Sequence, residues 1–246
     1  MPFVSTMNGP KRDAALTLLT ASGGLISALI TICVSFPLGH YAGLRSNRLL
    51  HFSQAFFLPG VVFGAIVSVC FALRVCLRDL WKLLVLTVAS AMAYAVAFWV
   101  AVGVELHSPF LNNQERGDVS GQALFVGGMT GALCTLCAFS LLLNSGITWQ
   151  HRMFRALCWT PVGAVLGIVG WALGPSLGMT LWQIVHSMNL TAPTETFQNA
   201  KGGMISRMFS LWAVWQFGMG FVLGLVVKGK QSNGRELAQH ESRLGT

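Results

Sequence analysis

Charge is scarce in this chain, and acid is scarcer still: 16 Lys and Arg and 8 Asp and Glu make up only 10% of 246 residues. Soluble domains carry roughly 25% charge. With 54% hydrophobic residues, the chain has too little polar surface to cover itself in water. Cysteine is missing from the polar connections. Cys33, Cys70, Cys76, Cys134, Cys137 and Cys158 all fall within or at the edge of apolar stretches. That placement gives no support for an exterior domain stapled by disulfides. Also lacking are an HExxH pair, glutamates at metal-ligand spacing and a phosphate-cradling glycine loop, so neither a metal nor a nucleotide cofactor is expected.

The apolar residues gather into runs of bilayer length, about 20 residues for a hydrocarbon core of roughly 30 Å. The runs span 14–39, 55–73, 83–104, 121–143, 156–174 and 208–227. The first is too long for a signal peptide, whose apolar region is only about 7–15 residues, and is read as a retained span. The expected fold is therefore an all-α polytopic membrane bundle of about six transmembrane helices, forming one domain over 1–246. Residues 175–206 form the one long outer connection and 228–246 a polar tail. Within that connection Leu177, Leu181, Ile184, Val185 and Met188 recur at helical spacing. They predict an amphipathic helix that is interfacial, re-entrant or an extension of the fifth span.

The net charge of +8 does not predict nucleic-acid binding, because the basic residues are spread over short connections and form no exposed patch. They act instead as a topology signal. Cytoplasmic termini put Lys11, Arg12, Arg74, Arg78, Lys82, Arg152, Arg155, Lys228, Lys230, Arg235 and Arg243 inside, with Arg45, Arg48, Arg116, Lys201 and Arg207 outside, a split of eleven to five. A multi-pass protein of a bacterial inner membrane is the expected setting, with membrane lipid and either a second copy or another membrane protein as partners.

Glycine supplies the clearest pattern. Gly60 and Gly64, Gly127 and Gly131, Gly163 and Gly167, Gly170 and Gly174, and Gly220 and Gly224 stand four apart. Each pair forms a bare stripe on one helix face against which another helix can pack closely. No Asp, Glu, Lys, Arg or His falls mid-span, which disfavours a proton-coupled pump. Gln216 and Tyr94 are the main polar exceptions, each expected to bond to another helix.

Three constellations carry weaker chemical signals. Cys134 and Cys137 form a CxxC deep in the fourth span, where no exchange partner is in prospect and packing is the favoured role. Gly174-Pro175-Ser176-Leu177-Gly178 matches GxSxG, a nucleophile motif only where a histidine and an acid converge on the serine; a helix end explains the same residues. His40, His51, Glu105, His107 and His186 map to the outer side as a polar cluster, with Glu115, Asp118 and Glu195 nearby. Imidazole with carboxylate can hold a divalent metal or respond to pH, but no compact spacing ties these groups together. No catalytic residue is therefore assigned. The expected function is non-catalytic: a binding, scaffold or assembly subunit, with a passive channel or uncoupled transporter for a small neutral solute as the alternative.

Overall fold

A computed structural model gives the architecture. It describes the backbone of residues 9–42, 48–75, 80–106, 119–143, 148–188 and 204–227, and the side chains of 14–34, 57–73, 81–105, 119–143, 148–188 and 206–227. The helices are α1 (Gly9–Ala42), α2 (Arg48–Val75), α3 (Leu80–Leu106), α4 (Gly121–Leu143), α5 (Trp149–Ala172), α6 (Met179–Ser187) and α7 (Met204–Val227). No strand occurs among the described residues. Five stretches within them are long and apolar enough to cross a membrane: Ala14–Val34, Trp81–Glu105, Gly121–Leu143, Trp149–Ala172 and Ser206–Val227. A shorter apolar stretch, Phe57–Leu73, lies in α2. The chain is an all-α, multi-pass membrane bundle.

Helix α1 packs on α2, α2 on α3, α3 on α4, α4 on α5 and α5 on α7, and α7 closes the ring on α1. The register of these contacts makes neighbours antiparallel: Gly60 meets Ala91 while Gly64 meets Thr87, and Gly127 meets Ala101 while Gly131 meets Ala97. One end of the bundle, the terminal face, therefore carries the start of α1 and the end of α7. The other end, the distal face, carries the end of α3 and the start of α4. Lipid-facing positions are apolar, as on α1, where Leu18, Leu25, Ile26, Leu29 and Ile30 are exposed and Thr17, Thr20, Ser27, Ala28 and Thr31 are buried.

Threonine hydroxyls in the spans turn back on their own helices, as the apolar solvent favours. Thr20, Thr87, Thr130 and Thr160 donate to the carbonyl four residues back at 3.0, 2.8, 2.8 and 2.9 Å, so each is satisfied by its own helix. The Thr160 bond lies beside Pro161, which cannot donate to the helix ladder. At the terminal face, Arg152 of α5 donates to the Leu141 carbonyl at 3.0 Å, placing a cation at the carboxyl end of α4, where the helix dipole favours it.

Residues 174–187 form no irregular loop. The helix of α5 passes through a π-helical turn, Gly174–Gly178, directly into α6. The Gly178 amide reaches back to the Leu173 carbonyl at 3.3 Å. The segment is helical and continuous with α5 through this turn. Met179, Trp182 and Val185 of α6 recur every three residues and cluster with Ile32 of α1 and with Phe209 and Trp212 of α7. This second small core holds α6 against the bundle.

Candidate functional site

The glycine stripes lie on helix seams inside the chain. A Cβ on Gly60 would stand 2.7 Å from the Ala91 Cα, and one on Gly64 2.8 Å from the Thr87 Cα, both on α3. Gly127 and Gly131 face Ala101 and Ala97 of α3 at 2.9 and 3.1 Å. Gly163 abuts Gly128 and Ala132 of α4, and Gly167 faces the Leu124 carbonyl. Gly220 and Gly224 lie against Thr20 and Thr17 of α1. Seven of these eight positions let a neighbouring backbone come closer than a side chain would permit, and Gly131 makes room for the side chains of Ala97 and Trp215. None of them presents its bare face to lipid.

Close approach at the seams does not fill the whole interior. From Tyr94 and Trp215 to the terminal face, the bundle is solid. Phe63, Phe71, Leu136, Phe139, Met219 and Leu223 are all fully buried in one continuous core. From the same level towards the distal face, a cavity of about 410 Å³ opens between α3, α4, α5 and α7. That volume lies within the range of roughly 300–1,000 Å³ typical of small-molecule sites. Phe63, Tyr94 and Trp215 separate the two regions. The Tyr94 and Trp215 rings meet edge to face at 4.8 Å, and Phe63 lies 6.0 and 6.1 Å from them.

Among the described residues, the wall below the rim is carbon, supplied by Ala97, Phe98, Ala101, Leu124, Leu211 and the aromatic faces of Trp171, Trp212 and Trp215. Its glycines, Gly127, Gly128, Gly131 and Gly167, present backbone, so no side chain from α4 or α5 fills the space at those positions. The nearby polar atoms are turned aside. The Tyr94 hydroxyl is directed at Gln216 without reaching hydrogen-bond geometry. The indole nitrogens of Trp171 and Trp212 are buried and have no hydrogen-bond partner. Gln216 belongs to the seam between α1 and α7. Its Oε1 accepts from Ser27 Oγ at 2.7 Å, and its Nε2 donates to Thr31 Oγ1 at 3.4 Å.

Charge returns at the distal rim. Glu105 lines the mouth, and its carboxylate accepts the Ser120 amide at 3.0 Å, tying the end of α3 to the residue before α4. Ser120 in turn accepts the Ala123 amide at 3.2 Å, which satisfies a donor in the first turn of α4. Behind the lining residue Trp171, the stem of Arg207 lies over Gly174, and its guanidinium carbon stands 5.6 Å from the Trp171 ring centre. Arg207 is thus held beside the cavity wall by a cation-π contact.

The other expected constellations fall elsewhere. Glu105 serves the junction of α3 and α4, whereas His186 stacks on Trp182 of α6 at 4.7 Å and is exposed. His40 and His51 lie in α1 and α2 at positions whose side chains are outside the described residues, and His107, Glu115, Asp118 and Glu195 lie wholly outside them. Among the described residues, no group of three or more metal-ligating side chains converges. Ser176 is exposed and its hydroxyl donates to the Leu173 carbonyl at 3.2 Å. The glycines of its GxSxG receive the backbone of α7, at Arg207 and Ser206. Cys33, Cys70, Cys134, Cys137 and Cys158 are free thiols, and Cys137 packs against the main core.

Sequence reasoning named the seam glycines, Gln216, Tyr94 and Glu105, but did not find the cavity. Its lining comes from four helices far apart in sequence, and each lining residue taken alone looks like packing. Comparison with protein-family models, curated proteins and solved structures returned no match for this chain.

Proposed function

We propose that this protein is a non-catalytic membrane protein of the binding type, which accepts an apolar molecule in the cavity between α3, α4, α5 and α7. The observation that carries the reading is the contrast between a solid terminal half and a hollow, carbon-walled distal half within one bundle. An assembly role built on the glycine stripes has less support, because those stripes pack inside the chain. A passive pore has less support too, because Phe63, Tyr94 and Trp215 stand across the path. The charge asymmetry of the connections supports cytoplasmic termini.

Benzene is a suitable probe because it enters dry apolar cavities. The delipidated protein in detergent is expected to gain thermal stability with benzene, since a ligand that binds only the folded state raises its midpoint. Leu211→Phe, which adds bulk to the cavity wall, should lose that gain. Equal stabilisation of both proteins, or of neither, contradicts the reading. An uncoupled carrier is the second reading, supported by a cavity that ends near the middle of α3, as in one state of alternating access. Labelling of Met219→Cys from the terminal face by a small maleimide would favour it; protection would favour a one-sided binding protein.

A further inference from the structure

We infer that the cavity takes one acyl chain of a membrane phospholipid, with the phosphate at the distal rim beside Arg207; this inference rests on reading the cavity as a binding site. Three features select this occupant. Among the described residues, the wall below the Glu105 rim offers no polar side-chain atom to hold a hydrophilic ligand: the Tyr94 hydroxyl turns to Gln216, and the indole nitrogens of Trp171 and Trp212 are inaccessible. Water needs two to four polar partners to occupy such a space, so hydrocarbon is the matching content.

Depth is the second feature. Glu105 at the mouth and Tyr94 at the floor are eleven positions apart on α3, a rise of about 16 Å at the helical pitch. That is about half of a hydrocarbon core of roughly 30 Å, the reach of one leaflet. A chain entering at the rim would end against Tyr94 and Trp215.

The third is the rim itself. Charged side chains appear where a headgroup would lie: Glu105 at the mouth and Arg207 packed on Trp171 beside it. A guanidinium is suited to phosphate oxygens, which it can grip through two parallel hydrogen bonds. The stem of Arg207 lies over Gly174 in the π-helical turn, where any larger residue would displace it. The turn therefore fixes the cation next to the proposed headgroup.

The test uses heavy-atom quenching of tryptophan, with the full chain reconstituted in phosphatidylglycerol vesicles whose acyl chains are brominated near the methyl end. Trp215, nearly buried at the cavity floor, should be quenched only if a brominated chain reaches it. Wild type is expected to be quenched more than Leu211→Phe, and the excess should fall in Trp215→Phe, the part that remains coming from Trp171 and Trp212. Arg207→Gln should reduce the excess from brominated phospholipid and leave quenching by bromobenzene unchanged. Brominated hexadecanoic acid, added to unbrominated vesicles, separates a free fatty acid from a phospholipid chain. Quenching of Trp215 by bromobenzene or the fatty acid but not by the phospholipid overturns this inference while the binding reading stands. Quenching by none of them overturns both. Should Leu211→Phe fail to fold, Leu124→Ala enlarges the cavity and must increase the phospholipid quenching; an unchanged signal counts against the inference.

Discussion

The terminal and distal halves of this bundle are made from the same kinds of residue in the same solvent, yet one is solid and the other hollow. In the terminal half, Phe63, Phe71, Leu136, Phe139 and Leu223 interdigitate across α2, α4 and α7. In the distal half, small residues line the interior: Ala97 and Ala101 of α3, and Gly127, Gly128 and Gly131 of α4. Small residues draw helices together along a seam, but facing an interior they leave volume that nothing else supplies. Glycine thus tightens the α3–α4 and α4–α5 seams and, at the same positions, keeps the space behind them open. Lipid provides no hydrophobic drive to collapse such a space, because separated helices are as comfortable in hydrocarbon as packed ones.

Substitutions that treat the two halves alike should have unequal effects. The largest is expected for Gly163→Leu, whose side chain would fall on Gly128 and Ala132 of α4. Backbone cannot yield there as a side chain can, so the cost should exceed the ~3 kcal/mol of ordinary overpacking. It would be read as loss of a monodisperse species in size-exclusion chromatography. Phe139→Ala opens a hole in the solid half, where Phe139 is fully buried against Phe71 at 5.8 Å between ring centres. The expected loss is about 3 kcal/mol, the lower end of the range for such truncations because lipid removes the water-transfer part. Reversible unfolding in mixed micelles measures it.

Gln216→Leu removes the bonds to Ser27 and Thr31 that join α1 to α7. Bonds between membrane helices are worth roughly 0.6 kcal/mol on average and up to about 1.7. The same unfolding assay should therefore show a loss of that order. A loss as large as that of Phe139→Ala would mean that this pair, and not packing, holds the seam. Leu211→Phe, by contrast, adds bulk on the hollow side and should leave stability unchanged or raise it by up to about 2 kcal/mol. A destabilisation of several times that size would erase the contrast between the halves. The smallest effect is expected for Ser140→Ala in α4, whose buried hydroxyl has no hydrogen-bond partner; removing it should be neutral or slightly stabilising.

Much of this architecture is legible before any coordinates. Runs of apolar residues predict the crossing stretches because backbone polar groups in hydrocarbon must bond within their own helix. The glycine spacings likewise mark faces prepared for close contact. They do not say whose face will meet them. Gly60 with Gly64 and Gly127 with Gly131 both turn to α3, one pair from α2 and the other from α4. The GxSxG of residues 174–178 was ambiguous for a similar reason, since it marks an unusual turn, and only the arrival of α7 at Gly174 and Gly178 shows that the turn serves packing. Glu105 and His186 shared a predicted side of the membrane but were given different work, one joining α3 to α4 and the other stacked on Trp182 of α6.

The sequence alone determined the solvent, the helical class and the approximate ends of the crossing segments, because those depend on composition averaged over about 20 residues and on the bilayer thickness. Only the tertiary structure decided where the interior is full and where it is empty. Packing density depends on which side chains from distant segments share a volume, and that sharing exists only once Tyr94, Gly131, Trp171 and Trp215 have been brought around one cavity.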